Sequence, residues 1–265
     1  MPSPGLVSPM SSGAHSDMDY YTFLDSTASL SQYMPLFVQE GMSRKSCKEI
    51  FGEIREIGKK AEADMFLKTG GINTHKGMLF LMGISCAATG KAIFENRPFG
   101  DLQKIIKEMT AGIVEQELKP LENRSDLSHG ERLYLKYKSK GVRGEAEMGL
   151  PTVFDYGLDI YRGNSHLDKN SRLVHTLIGI MSVCEDTTIT HRHNPSVLEE
   201  VKKRADDIMK SGGMNTEQGK KEIRDLDFEF IKRRISPGGS ADLLAITIFF
   251  WLVESYLSDD ISSSF

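Results

Sequence analysis

The chain is predicted to be all-α, a single compact multi-helix domain over residues 1–265. Apolar residues recur at three- and four-residue intervals along most of its length, the signature of amphipathic helices. No run of alternating strand residues interrupts them. Glycine-marked segments with charged residues lie at the ends of apolar helical stretches, at 70–77, 140–147 and 237–242.

The longest pattern runs from Cys47 to Lys68, where Ile50, Phe51, Ile54, Ile57, Ala61, Met65 and Phe66 share one face. Further helices are read from Met78 to Thr89, Leu102 to Glu117, His129 to Lys138, Val174 to Cys184, Val197 to Met209, Lys220 to Lys232 and Leu243 to Leu257. Gly90, Gly212-Gly213 and Pro237-Gly238-Gly239 punctuate them as connections of ordinary length, too short for domain linkers. The serine run Ser262-Ser263-Ser264 reads as a frayed tail.

A length of 265 residues and 39% hydrophobic content allow a substantial core. The net charge of −4 offers no general attraction to nucleic acid or anionic lipid, so anion binding must come from local clusters of Lys and Arg. Cys47, Cys86 and Cys184 are odd in number and lack CxxC spacing, which reads as free thiols in a reduced, cytoplasmic protein. The start of the chain has no secretory pattern, and the apolar run 243–253 is shorter than a bilayer span of about 30 Å requires, so no membrane partner is expected.

Glycine permits positive φ and close backbone approach, and an uncapped helix start offers N–H groups and a positive dipole end; the three segments together suit a polyanion. His75 and Lys76 stand where the following helix begins, and cations there oppose the dipole by about 0.3–1 kcal/mol each unless an anion compensates. The competing reading is an exposed basic turn beside a carboxylate. Glu145 and Glu147, beside Arg143, suit a hard metal ion or a general base, or form a solvated charged turn. His129-Gly130-Glu131-Arg132 adds donors upstream. Asp186 follows an apolar stretch, at the helix end the dipole disfavours for an acid, which points either to a bound cation or to a surface loop. Asp242 reads two ways as well: Ser240 as N-cap with an acid in the first turn explains it by capping, while Gly238-Gly239 before it suggests a site. The chain lacks the P-loop, dinucleotide, zinc-protease and serine-hydrolase motifs, leaving a helical protein that binds phosphates through loops and helix ends.

Several of these segments together carry a family pattern: Pro4-Gly5-Leu6-Val7, 13–19, Gly71-Ile72-Asn73-Thr74-His75-Lys76-Gly77, Arg143-Gly144-Glu145-Ala146, Asp186-Thr187 with Arg192, and Gly238-Gly239-Ser240-Ala241-Asp242. Over nearly its whole length the chain resembles triphosphoribosyl-dephospho-CoA synthase, which makes the prosthetic-group precursor of citrate lyase. A similar enzyme serves malonate decarboxylase; the run Asp17-Met18-Asp19-Tyr20-Tyr21 looks closer to the citrate lyase branch. Members of the family carry a helix before the Pro-Gly-Leu-Val segment and a basic residue where Ser3 stands, so a truncated or alternative start is one reading of this chain. His193 stands where the family has glycine after Arg192.

The resemblance implies that ATP and 3′-dephospho-CoA give 2′-(5″-triphosphoribosyl)-3′-dephospho-CoA and adenine. The ribose 2′-hydroxyl attacks the anomeric carbon of ATP while the triphosphate stays attached. It implies catalytic roles for Glu145, Asp186, Asp242 and His75, with Mg²⁺ on Glu145, Asp186 and Asp242. Substrate contacts would fall on Asn73, Thr74, Lys76, Gly77, His129, Arg143, Glu147, Thr187, Arg192, Gly238, Gly239 and Ser240. Asn73 or a histidine would assist departing adenine, and the product would pass to the transferase that modifies the citrate lyase acyl carrier protein. Glu145→Gln and Asp186→Asn are expected to lower activity by about two orders of magnitude or more with thermal stability nearly unchanged, and Asp242→Asn to lose both activity and some stability. The competing class is a non-catalytic helical protein that binds nucleotide or CoA, which would need fewer carboxylates.

Overall fold

The computed structural model describes residues 3–119 and 127–262. Fourteen α-helices are built from them: α1 Tyr20–Ser31, α2 Met34–Gly41, α3 Cys47–Lys68, α4 Lys76–Phe94, α5 Leu102–Thr110, α6 Ile113–Leu118, α7 His129–Tyr137, α8 Gly141–Glu147, α9 Leu158–Gly163, α10 Lys169–Val183, α11 Thr187–Arg192, α12 Pro195–Lys210, α13 Glu217–Arg233 and α14 Gly238–Ser262. Among the described residues the one β feature is an isolated bridge between Ser8 and Ser11.

Local chemistry sets many of these boundaries. Ser46 and Glu49 form a reciprocal capping box that starts α3 at Cys47, and Ser128 with Glu131 does the same for α7. The stretch read as one helix from 102 to 117 is two, because Ala111 is extended (ψ 121°) and Gly112 takes φ +81°. The region 143–147, read as a charged turn, is the short helix α8.

Helix α4 is the central element. Its residues from Gly83 to Ala92 are all buried, and it packs against α2, α3, α5 and α14. Gly90, read as a helix stop, lies inside it. A Cβ there would collide with the carbonyl of Val38 on α2, so this glycine sets a close helix contact. Gly41 of α2 approaches Ala87 in the same way.

Two large apolar clusters share the interior. One gathers α2–α5 with Leu243, Ile246 and Phe250 of α14. The other gathers α10, α12 and α13 with Ile189 and Ile235, and Leu244 packs against both. Helix α14 therefore ties the two together.

Both α4 and α14 are long and apolar enough to cross a membrane. The argument from the 243–253 run thus fails on length, because the helix holding that run extends through 238–262. Cys86 and Cys184 are buried and Cys47 is partly buried, all as free thiols. Ser263 and Ser264 of the predicted tail lie outside the described residues.

Candidate active site

Four helix starts that are remote in sequence meet on one side of α4: those of α4, α8, α11 and α14. Gly77 in the first turn of α4 lies directly against Asp242 of α14, where a Cβ would strike Oδ2 and approach Val142 of α8. Gly141 opens α8 against Thr187, and Gly238 lies against Thr188. A side chain at 77 would displace the Asp242 carboxylate, so glycine there lets the two come into contact.

Asp186 organises the centre. It is 1% exposed, and its Oδ1 accepts the amides of Thr188 (3.0 Å) and Ile189 (3.3 Å) while Oδ2 accepts the amide (2.8 Å) and hydroxyl (2.9 Å) of Ser240. It is thus the N-cap of α11 and holds the first turn of α14. Reading it as an acid at the disfavoured end of α10 is corrected: α10 ends at Val183, and Asp186 sits at the positive end of the next helix. Gly239 leaves room for this carboxylate, which its Cβ would approach to 3.0 Å.

Asp242 is different. Helix α14 begins at Gly238, so Asp242 lies in its second turn and Ser240 is a first-turn residue held by Asp186; the capping explanation for Asp242 is withdrawn. Asp242 makes no hydrogen bond or ion pair among the described residues. It is half-buried, so solvent reaches it, yet dense surroundings and then the Asp186 charge hold its carboxyl well above the usual carboxylate range. Burial raises Asp186 too, against the pull of its four donors.

Glu145 of α8 lies near enough to the same region to act on Cys184, as Asp186 does. Its Oε1 accepts the Thr152 amide at 2.8 Å, and burial raises its pKa, opposed by that hydrogen bond. The buried thiol of Cys184 feels both Asp186 and Glu145. Glu147 turns away and accepts the Val114 amide at the start of α6 (3.4 Å). Positions two apart on a helix point to opposite sides, which is why the two glutamates do not pair.

The predicted anion-binding residues divide into helix-start partners and cations. Asn73 Oδ1 accepts the Lys76 amide (3.2 Å), and Thr74 donates to Ser26 (2.6 Å). His75 bonds Ser26 through Nδ1 (2.7 Å) and packs edge-on to Phe23. Burial pushes its pKa down to about 4, so it is neutral at pH 7 and does not act as the cation read from sequence. Lys76 reaches Glu62 (2.6 Å). Arg143 is pinned by Glu117 (2.8 Å), which also takes Arg55 (3.0 Å).

His129 stacks on His191 with centroids 3.7 Å apart. Burial lowers the pKa of both, with Arg132 beside them and Lys76 or Arg192 adding to the effect. Arg192 Nη2 meets His15 Nδ1 at 3.1 Å, and His15 in turn bonds Ser236. Sequence reasoning missed Arg55, Lys59, Glu62 and His191. Arg55, Lys59 and Glu62 share the polar edge of α3, which reads as ordinary solvated surface until α8 is folded over it.

Four helix starts, nearby cations and carboxyls whose pKa burial raises are brought together in an all-helical protein, an arrangement suited to a polyanionic substrate. The family model for ATP:dephospho-CoA triphosphoribosyl transferase matches residues 1–261. The chain belongs to that family and is a transferase of the triphosphoribosyl-dephospho-CoA synthase type. It is 38% identical over 262 residues to a "Probable 2-(5''-triphosphoribosyl)-3'-dephosphocoenzyme-A synthase" of Lactiplantibacillus plantarum, covering 97% of this chain and 92% of that one. A protein of the same description from Malonomonas rubra is 38% identical, with 95% and 82% covered. Protein CitXG of Leuconostoc mesenteroides subsp. cremoris is 38% identical, and the chain spans about half of it (54%). A crystal structure from Archaeoglobus fulgidus assigned as a triphosphoribosyl-dephospho-CoA synthase superposes with a TM-score of 0.51 at 15% identity over 88% of this chain and 99% of that one, which bears on the fold alone.

Proposed function

We propose that the centre where the starts of α4, α8, α11 and α14 meet transfers the triphosphoribosyl group of ATP to the 2′-hydroxyl of 3′-dephospho-CoA with release of adenine, and that it does so in the cytoplasm for the citrate lyase prosthetic group. The observation that carries the assignment of the site is Asp242: a carboxylate without a protein partner, beside a second buried carboxylate, at a glycine that makes room for it.

Among the described residues no three His, Cys, Asp or Glu side chains are arranged as a metal cluster. A Mg²⁺ ion needs only one or two carboxylates when phosphates complete its shell. Asp186, buried, and Asp242, half-buried beside it with no protein cation as partner, fit that requirement electrostatically, and they are the residues that would hold the ion. When bound, Mg²⁺ supplies charge neutralisation for the triphosphate. Glu145 is assigned to the proton rather than to the metal: its raised pKa suits a base that accepts the hydroxyl proton as the new glycosidic bond forms. Lys76, Arg143, Arg192 and the His129–His191 stack face the phosphates, and neutral His75 positions the start of α4 through Ser26. Thr187, Gly238, Gly239 and Ser240 shape the wall opposite.

Incubation with ATP, dephospho-CoA and Mg²⁺ should release adenine in step with product, without ADP, AMP or pyrophosphate. ADP in step with product would overturn the reaction class. The citrate lyase branch rests on the run Asp17-Met18-Asp19-Tyr20-Tyr21. It predicts hand-over of the product to the transferase acting on the citrate lyase carrier protein, detectable as a cross-link to that transferase and not to its malonate decarboxylase counterpart.

A further inference from the structure

A cavity of about 210 Å³ opens between α3, α4 and α8 beside Gly77. Its floor is apolar: Phe37, Leu79 and Ile84 close the bottom, and Phe51 and Phe80 form the sides. Its rim is basic, with Arg55, Lys59, Lys76 and Arg143. Glu117 fixes two of those guanidiniums, and Arg55 lies 5.9 Å from the Phe51 ring centre and 5.8 Å from that of Phe80.

We propose that this slot holds the adenine ring of a nucleotide substrate, with the rim taking its phosphates. The proposal rests on the synthase reading above and deepens it. Sites for whole drug-sized ligands occupy roughly 300–1,000 Å³, so a cavity of about 210 Å³ takes a ring system and leaves the sugar and phosphates outside. An apolar floor excludes phosphate, because a buried anion without partners is strongly unfavourable. Aromatic and guanidinium faces suit a flat heterocycle. Glu62, half-buried in the lining and tied to Lys76, is the carboxylate able to accept from an exocyclic amine. The slot ends at Gly77, against Asp242, so a base seated in it leaves its sugar at the carboxylates.

Gly58 of α3 supplies the test. It lines the slot and a Cβ there would meet nothing within 4 Å, so a larger side chain fills the cavity without displacing the fold. Calorimetric titration of wild type, Gly58→Ala and Gly58→Leu with adenine, ATP, dephospho-CoA and inorganic tripolyphosphate separates base from phosphate binding. In Gly58→Leu adenine binding is lost, the Kd of ATP, of dephospho-CoA or of both rises tenfold or more, and tripolyphosphate stays within twofold; which nucleotide weakens identifies the source of the base. Val142→Phe narrows the slot from α8 and should act in the same direction should Gly58→Leu fail to fold. Retained adenine binding, or unchanged Kd for both nucleotides, overturns the proposal. Weakened dephospho-CoA with retained adenine binding also overturns it and makes the slot a channel for the pantetheine arm. Failure of wild type to release adenine from ATP and dephospho-CoA overturns the synthase reading separately, while adenine binding still judges the slot.

Discussion

Three acids with similar chemistry in the sequence perform different work in the structure, and substitution separates them. Asp242 has a pKa raised well above 3.8. A carboxyl with a raised folded-state pKa contributes stability below its unfolded pKa, and that stability is lost as pH rises toward the folded value. Asp242→Asn should therefore unfold at a higher temperature than wild type at pH 7–8 without Mg²⁺, with the difference closing near pH 4, while turnover falls by about two orders of magnitude or more. Asp186→Asn should lose stability as well as activity, by about 1–3 kcal/mol in denaturant titrations, because an amide cannot accept all four donors that Asp186 satisfies. This reverses the expectation drawn from sequence that charge removal there spares the fold. Glu145→Gln keeps an oxygen for the Thr152 amide, so its stability should change by less than about 1 kcal/mol while turnover collapses. His75 titrates in the other sense: its pKa of about 4, against an ordinary 6.5, makes the fold lose stability as pH falls from 6.5 toward 4. A His75→Gln variant should show a shallower loss over that window.

At the scale of elements, long helices with strong periodicity were legible and short ones were not. The boundaries of α3 follow the sequence reading residue for residue, because a capping box marks its start and a basic last turn its end. Helices α8 and α11 are seven and six residues long and carry glycine or threonine, so neither periodicity nor propensity identifies them. That is also why Asp186 was placed at the wrong end of a helix: the following helix was invisible. That the glycine-marked segments would come together was legible, and Gly77, Gly141 and Gly238 do lie against Asp242, Thr187 and Thr188, but the partners of Arg143 and the neutrality of His75 depend on tertiary neighbours. Gly90 shows the limit in the other direction. Gly90→Ala gains up to about 1 kcal/mol of intrinsic helix propensity, yet its Cβ would strike the Val38 carbonyl, so the net change should be a loss of about 1–3 kcal/mol. Gly52→Ala, where a Cβ meets nothing within 4 Å, should instead gain about 0.5–1 kcal/mol in the same denaturant titration.

At the scale of the whole molecule, the site lies on the seam between the two large apolar clusters. Cys184 belongs to one cluster and Ile189 to the other, with Asp186 between them; Leu243 belongs to the first, and Leu244, packed against both, follows Asp242. The adjacent charges of buried Asp186 and half-buried Asp242 weaken that seam when both are ionised, and a ligand that neutralises them strengthens it. The expectation of a single domain then takes a measurable form, because a seam crossed by α14 should transmit binding to both clusters. Calorimetric unfolding should show one transition, shifted upward by Mg²⁺ with ATP by the equivalent of about 2.7 kcal/mol at a hundredfold excess over Kd. ATP with EDTA should shift it less, since the triphosphate then adds negative charge beside Asp186 and Asp242 instead of offsetting theirs. Two transitions, only one of them moved by ligand, would show that the clusters unfold separately and that the site belongs to one of them.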